Sequence, residues 1–205
     1  MLTKPTTFSF IPQNYQNDFL CLCHSGTDTC RPGVSFGPAV RNVYMIHYIT
    51  AGRGTYNVDN RQHHLGPGDA FLIRPGETIV YTADRDDPWQ YCFVAFNGQA
   101  VEDYLNRTGF ASSYVLHIGD DRINEIVCET TDMLSKYSNN PDLYGLSQLS
   151  KILLFFAEHY DSQQTEKSMP IRSDIQSVLD YISFHYADPI TVLDMSKLVA
   201  LERSY

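Results

Sequence analysis

The 205-residue sequence has no apolar run near the roughly 20 residues that a membrane-spanning helix requires. Its start, MLTKPTTFSFIPQNYQNDF, is polar and aromatic and lacks the continuous apolar stretch of a secretory signal. The expectation is a cytoplasmic protein with no membrane partner. Positive charge is also scarce. Fifteen Lys and Arg stand against 24 Asp and Glu, a formal net charge of −9, so the chain as a whole lacks the basic face with which proteins meet nucleic acid. Cys21, Cys23, Cys30, Cys92 and Cys128 are odd in number, which does not suit a disulfide framework and fits reduced thiols. What is present is an ordinary folded composition, 43% hydrophobic and 19% charged.

The patterning divides the chain into five stretches. Residues 1–18 carry Pro5, Pro12, Phe8, Phe10 and Tyr15 among few charges and read as an extended arm. Residues 19–98 are strand-like. FLCLCH alternates with a two-residue period, and VYMIHYIT is rich in β-branched and aromatic side chains. GTYNVDNRQHHL reads as a hairpin turning at Asp59-Asn60; DAFLIRP, IVYTA and WQYCFVAF are further strands. Residues 99–160 change to helical spacing. VEDYLNRTG reads as a short helix capped by Gly109. Two amphipathic helices follow, DRINEIVCETTDMLSKY and PDLYGLSQLSKILLFFAEHY, with Asn139-Asn140-Pro141 as the turn of an antiparallel pair. Their apolar stripes can pack on the barrel, dimerise the chain, or both. Residues 161–172 are a polar linker. Residues 173–205 begin a second helical region, in which Thr191 is the expected N-cap after Pro189.

The bends are the most informative series. AGRGTY, LGPGDAFLIRPGE and the acidic turn before WQYCFVAF fold many short strands into a small barrel able to hold one ligand. In this order they resemble the cupin sensor domain of AraC-type transcription regulators. CRPGVSFGPAVRNVYMIHYI resembles the subgroup that controls sugar uptake and breakdown. The implied fold is α+β: a cupin-like antiparallel β-barrel (jelly roll), then an antiparallel helix pair, then the first helices of a helix-turn-helix domain.

The resemblance also sharpens the chemistry. Cupin enzymes place a metal-binding His three residues after the turn glycine, where this chain has Ile79 after Gly76; SFGPAVRN supplies neither the paired histidines nor the carboxylate of the first metal motif. The expectation is no metal, no cofactor and no enzyme. His63 and His64 are adjacent on a strand and point to opposite faces, so they do not share an ion. Trp89, Tyr91 and Phe93 share one strand face. The resemblance assigns sugar contacts to Tyr81 and Tyr91 and a stacking aromatic to Phe93. It assigns an arginine to an early strand, where Arg41 is the choice and Arg31 the alternative. His47 either faces the cavity or is a satisfied core histidine. In the family the arm can close over the ligand, a role open to Phe8, Phe10 and Tyr15; a disordered tail is the other reading.

The last residues, IQSVLDYISFHYADPITVLDMSKLVALERSY, resemble the start of the family's DNA-binding domain, with Thr191 opening a helix and Ser204-Tyr205 at the turn before the recognition helix. That resemblance implies that the basic DNA-reading surface lies in residues this chain does not contain, so promoter DNA is a partner of the full-length protein only. The expected partners here are a small-molecule effector, with a sugar as the first choice, and a second copy of the chain. Two alternatives stay open: a metal-dependent cupin enzyme, and a redox or metal-sensing regulator built on Cys21, Cys23 and Cys30, with His24 as the imidazole of a metal site.

Overall fold

Alternating apolar residues and a regular series of bends set the architecture. The computed structural model describes residues 6–134, 136, 139–159, 178, 181, 182, 185, 186 and 189–198, with the Tyr15 side chain outside the described set. The chain divides into two compact units, Met1–Tyr160 and Asp161–Tyr205. In the first, the strands are β1 (Thr7–Phe10), β2 (Cys21–Thr29), β3 (Ser35–Val40), β4 (Tyr44–Ala51), β5 (Gly54–Val58), β6 (Arg61–Leu65), β7 (Asp69–Ile73), β8 (Thr78–Ala83), β9 (Gln90–Asn97) and β10 (Val115–His117). The helices are α1 (Val101–Leu105), α2 (Arg122–Leu134) and α3 (Pro141–Glu158).

The strands form two antiparallel sheets, ordered β1-β2-β9-β4-β7-β10 and β3-β8-β5-β6. They face one another as a cupin-like jelly roll. Turn chemistry explains the closure. Asp59 and Asn60 both hold positive φ (49° and 56°), the geometry of a tight two-residue hairpin turn between β5 and β6. Gly52 and Gly76 also hold positive φ, 67° and 82°. Gly54 serves a different purpose from a bend: a Cβ there would run into the ring of Trp89.

The six-stranded sheet is apolar on both faces, and each face has its own core. Inward, Met45, Ile49, Phe71, Ile73, Tyr91 and Ala95 pack against Tyr56, Ile79 and Tyr81 of the smaller sheet. The Tyr56 hydroxyl crosses to donate to the Leu72 carbonyl at 2.8 Å. Outward, Ile46, Tyr48, Leu72, Val94 and Phe96 are covered by Ile123 and Val127 of α2 and by Leu149, Ile152 and Phe156 of α3. Full burial of each such side chain contributes about 1.5–3 kcal/mol.

Several boundaries differ from expectation. The barrel is larger than residues 19–98, because β1 is donated by the arm and β10 by the helical stretch. β3, unmarked by alternation, contains Gly37-Pro38 at a register shift against β8. Gly109 does not cap α1, which ends at Leu105; it opens a single 3-10 turn whose preceding Thr108 accepts from the Phe110 N–H. Leu143, one of the helically spaced apolar residues of α3, whose stripe the sequence left open between packing and dimerisation, is exposed.

In the second unit, α4 (Val192–Leu198) begins as expected at Thr191. The Asp194 N–H donates to Thr191 Oγ1 at 3.3 Å, while Thr191 N and Oγ1 donate to Asp194 Oδ2 at 3.1 and 2.7 Å, a reciprocal cap. The linker 161–172, Ser204 and Tyr205 lie outside the described residues. No helix of the described residues is long and apolar enough to cross a membrane.

Candidate functional site

The site begins with a break in alternation. In β2, Leu22 pairs with Phe96 and the next pair is His24 with Ala95, so Cys23 is the extra residue of a β-bulge. Cys21 and Cys23 lie on the inner face, their sulfurs 4.0 Å apart. The bulge brings His24 inward as well, 6.0 Å from the Phe93 ring. Burial, reinforced by Cys21, pushes the Cys23 thiol up to about 12, so it stays protonated.

His47 stands at the centre of the inner face. Register sets it opposite Phe71 on β7 and Phe93 on β9. Its ring lies parallel to Phe71 at 4.5 Å and meets Tyr91 edge-on at 4.9 Å, with Phe93 at 5.6 Å and Tyr81 at 5.5 Å. Burial, then the charge of Arg41, then His24, hold its pKa down to about 3. The imidazole is therefore neutral at physiological pH. Its Nδ1 is buried with no hydrogen-bond partner.

Arg41 follows β3, in a loop pinned by the Gly76 N–H donating to the Arg41 carbonyl at 3.0 Å. Its guanidinium lies 4.2 Å over the Phe36 ring, and Phe36 stacks on Tyr81 at 5.1 Å. Arg41 Nε is also buried without a partner. Burial raises the Tyr81 hydroxyl while Arg41 beside it opposes the rise; burial, then Tyr81, raises that of Tyr91. The Tyr91 hydroxyl donates to Asp28 Oδ2 at 3.3 Å. The interior thus offers one fixed cation, protonated hydroxyls, a neutral imidazole and flat aromatic faces. Groups of these kinds can meet a neutral polar molecule by donation to its oxygens and by stacking. An unmade hydrogen bond at a buried polar atom costs about 1–3 kcal/mol, so a ligand completing those of Arg41 and His47 gains from both.

Of the residues singled out by sequence, Arg41, His47, Tyr81, Tyr91 and Phe93 converge here. Trp89 lies in the same inner cluster, fully buried behind Gly54, with its ring 6.0 Å from Phe71 and 6.2 Å from Tyr91 and its Nε1 buried without a hydrogen-bond partner. Arg31 is exposed in the turn after β2. Phe8 and Phe10 lie on β1, hydrogen-bonded into the sheet as an edge strand and both exposed. His63 is half-buried and His64 exposed. Ile79 fills the inner core. Among the described residues no three His, Cys, Asp or Glu side chains converge in a metal-binding group. Sequence reasoning missed Phe36, hidden beside Gly37-Pro38, and set His24 only beside the cysteines, since strict alternation places it on the opposite face from Phe93. It also missed Asp28, whose only signal was its position two strand periods from His24.

The sequence matches the AraC-like ligand binding domain family over residues 24–166. Among curated relatives, the Msm operon regulatory protein of Streptococcus mutans is 28% identical, over 92% of this chain and 69% of its own length. The lactose operon transcription activator of Staphylococcus xylosus is 27% identical, covering 90% of this chain and 67% of its own. The raffinose operon transcriptional regulatory protein of Pediococcus pentosaceus is 27% identical, covering 88% and 67%. The matched stretch contains β3 to β10, α2, α3 and every converging side chain, and on that basis this chain belongs to the AraC-like ligand binding domain family.

Proposed function

We propose that this chain is the effector-binding and dimerisation region of a cytoplasmic, sugar-responsive transcription regulator, and that it senses its ligand without transforming it. The observation that carries this reading is the group of buried polar atoms without partners among the inner aromatics, His47 Nδ1, Arg41 Nε and Trp89 Nε1. A saccharide matches that arrangement. Its C–H faces stack on Phe93 and Tyr91, and its hydroxyls accept from Arg41 and exchange hydrogen bonds with His47, Tyr81 and Tyr91. Trp89 Nε1 adds a further buried donor. The relatives' names, which refer to the Msm, lactose and raffinose operons, favour a sugar over other polyhydroxylated ligands. Occupancy alters promoter binding by the full-length protein, whose DNA-contacting part opens at Thr191 and continues through Ser204 and Tyr205. The dimer forms through α3, where Leu143 and Leu154 are exposed three turns apart on one face.

Calorimetric titration of the chain with a panel of mono- and oligosaccharides tests the reading. At least one saccharide binds, and Arg41→Ala weakens it by about tenfold or more, the loss of a charge-assisted hydrogen bond. Absence of binding by every saccharide overturns the sugar assignment.

A further inference from the structure

The bulge that turns His24 inward also brings two sulfurs together. Residues two apart on a strand share a face, with Cα atoms about 6.6 Å apart. Cys21 and Cys23 have this spacing, and the extra residue at Cys23 bends the strand between them. Their Sγ atoms lie 4.0 Å apart. A disulfide accepts Cα separations of roughly 4.4–6.8 Å and has an S–S bond of about 2.05 Å. The backbone spacing suits it, so closure asks mainly that the sulfurs approach. Cys30 is not part of the pair. Its N–H donates to the Trp89 carbonyl at 3.2 Å, at one end of β9, whereas Cys21 stands opposite Asn97 at the other end. The three cysteines therefore do not assemble a common metal site.

The two sulfurs are placed unequally. Both residues are buried, but Cys21 also lines a groove of about 580 Å³ with polar walls that include Gln13, Asn17, Asp18 and Gln99. Cys23 is not among those walls. A small oxidant in the groove meets Cys21 first. Burial and the neighbouring Cys21 keep the Cys23 thiol protonated, which makes it a poor first nucleophile and leaves it to act second. Cys23 is also tied to its surroundings. Its carbonyl accepts from the Ile11 N–H at 2.8 Å, where the arm is anchored. Its chain neighbour His24 stands 6.0 Å from the Phe93 ring.

We propose that Cys21 and Cys23 are a redox modification site: a hydroperoxide closes them to a disulfide, a thiol reductant reopens it, and closure weakens ligand binding in the barrel. The Cys21 thiolate attacks the outer peroxide oxygen. The O–O bond breaks, and the alcohol leaves with the Cys21 proton, giving a sulfenic acid. The Cys23 sulfur then attacks the Cys21 sulfur. The S–S bond forms, the S–O bond breaks, and the hydroxyl leaves as water with the Cys23 proton. Two thiols lose two electrons, and the peroxide is reduced to one alcohol and one water. Closing the sulfurs from 4.0 to about 2.05 Å pulls on the bulge, and with it on His24 and on the hydrogen bond to Ile11. In a reducing compartment such a bond is transient, a signal and not a staple. The loss of affinity rests on the sugar-binding reading above; the disulfide itself does not.

The test treats the reduced full chain with hydrogen peroxide, alkylates the remaining thiols and maps the products by mass spectrometry. Two of the five free thiols disappear. Fragmentation places the link between Cys21 and Cys23, with Cys30 alkylated, and dithiothreitol restores both thiols. In Cys23→Ser the sulfenic acid on Cys21 persists and is captured by dimedone. The absence of a Cys21–Cys23 link in the unmodified chain, or a link to Cys30 in its place, overturns the proposal. Calorimetry with lactose and raffinose reads the consequence. Oxidation lowers affinity by about fivefold or more, and dithiothreitol reverses the loss. Peroxide leaves the affinity of Cys21→Ser unchanged. A disulfide that forms without changing affinity overturns the coupling to the barrel. If neither sugar binds the reduced chain, the sugar reading falls and amide exchange at Ile11 decides the coupling: faster exchange after oxidation supports it, and unchanged exchange overturns it.

Discussion

At the scale of single residues, the charge state of His47 is a consequence of its surroundings and can be checked by pH. Its pKa is lowered from 6.5 to about 3 by burial, with Arg41 and His24 adding repulsion. The unfolded chain binds a proton below 6.5 that the folded chain refuses until about 3. The stabilisation is therefore complete above 6.5 and is lost progressively as pH falls toward 3. Urea midpoints of the wild type should drop between pH 7 and pH 5. In His47→Phe the slope should flatten by up to about 1.4 kcal/mol per pH unit. Parallel profiles for the two proteins would exclude this role. Gly54 gives a second residue-scale prediction. Gly54→Ala forces a methyl against the Trp89 ring and should cost about 1–3 kcal/mol in urea unfolding, typical of overpacking. Sequence alternation was enough to put Tyr91 and Phe93 on one face with Trp89. It could not show how closely Trp89 packs, because Gly54, whose missing side chain makes room for the ring, lies on another strand. Nor could it place His24, since one inserted residue at Cys23 reverses every later inference along β2.

At the scale of elements, legibility followed hydrogen-bonding partners more than residue type. β4, β7, β8 and β9 are flanked by strands, and their apolar runs announced them. β10 has three residues and a single neighbour, β7, too few to show a period. β1 was read only as an extended arm, because what fixes it is remote in sequence. Ser9 Oγ donates to the Thr131 carbonyl of α2 at 2.7 Å. Ile11, just beyond the strand, is 2% exposed and packs against Gly145 of α3, where a Cβ would collide with it. The arm is thus anchored at Ile11 while its aromatics stay in solvent. Ile11→Ala should destabilise the first unit by about 2–4 kcal/mol. It should also speed amide exchange in Thr7–Phe10 more than in β4. Unchanged exchange in β1 would show that its ladder with β2 holds the arm without this anchor.

At the scale of the whole molecule, one six-stranded sheet serves two surfaces at once. Its inner face carries His47, Tyr91 and Phe93; its outer face carries Ile46, Val94 and Phe96 under α2 and α3. Neighbouring residues on β4 and β9 therefore face the candidate ligand and the helices in turn, so any shift of these strands on binding reaches the helix layer directly. The far side of that layer is where a second copy would sit. On α3, Leu143 and Leu154 are 64% and 58% exposed, and a spacing of three helical turns sets them on one stripe. Leu143→Glu/Leu154→Glu places like charges on both sides of a two-fold contact. If the proposed dimer forms through this stripe, sedimentation velocity should show a dimer for the unmodified chain and a monomer for the double variant. Saccharide affinity should remain within about twofold, because neither leucine faces the barrel and distant sites behave independently. A dimer that survives the double substitution would move the interface off α3. A monomer that also loses its sugar would mean that the site is completed by, or depends on, the partner copy, and the sheet would then be the route by which dimerisation reaches the ligand.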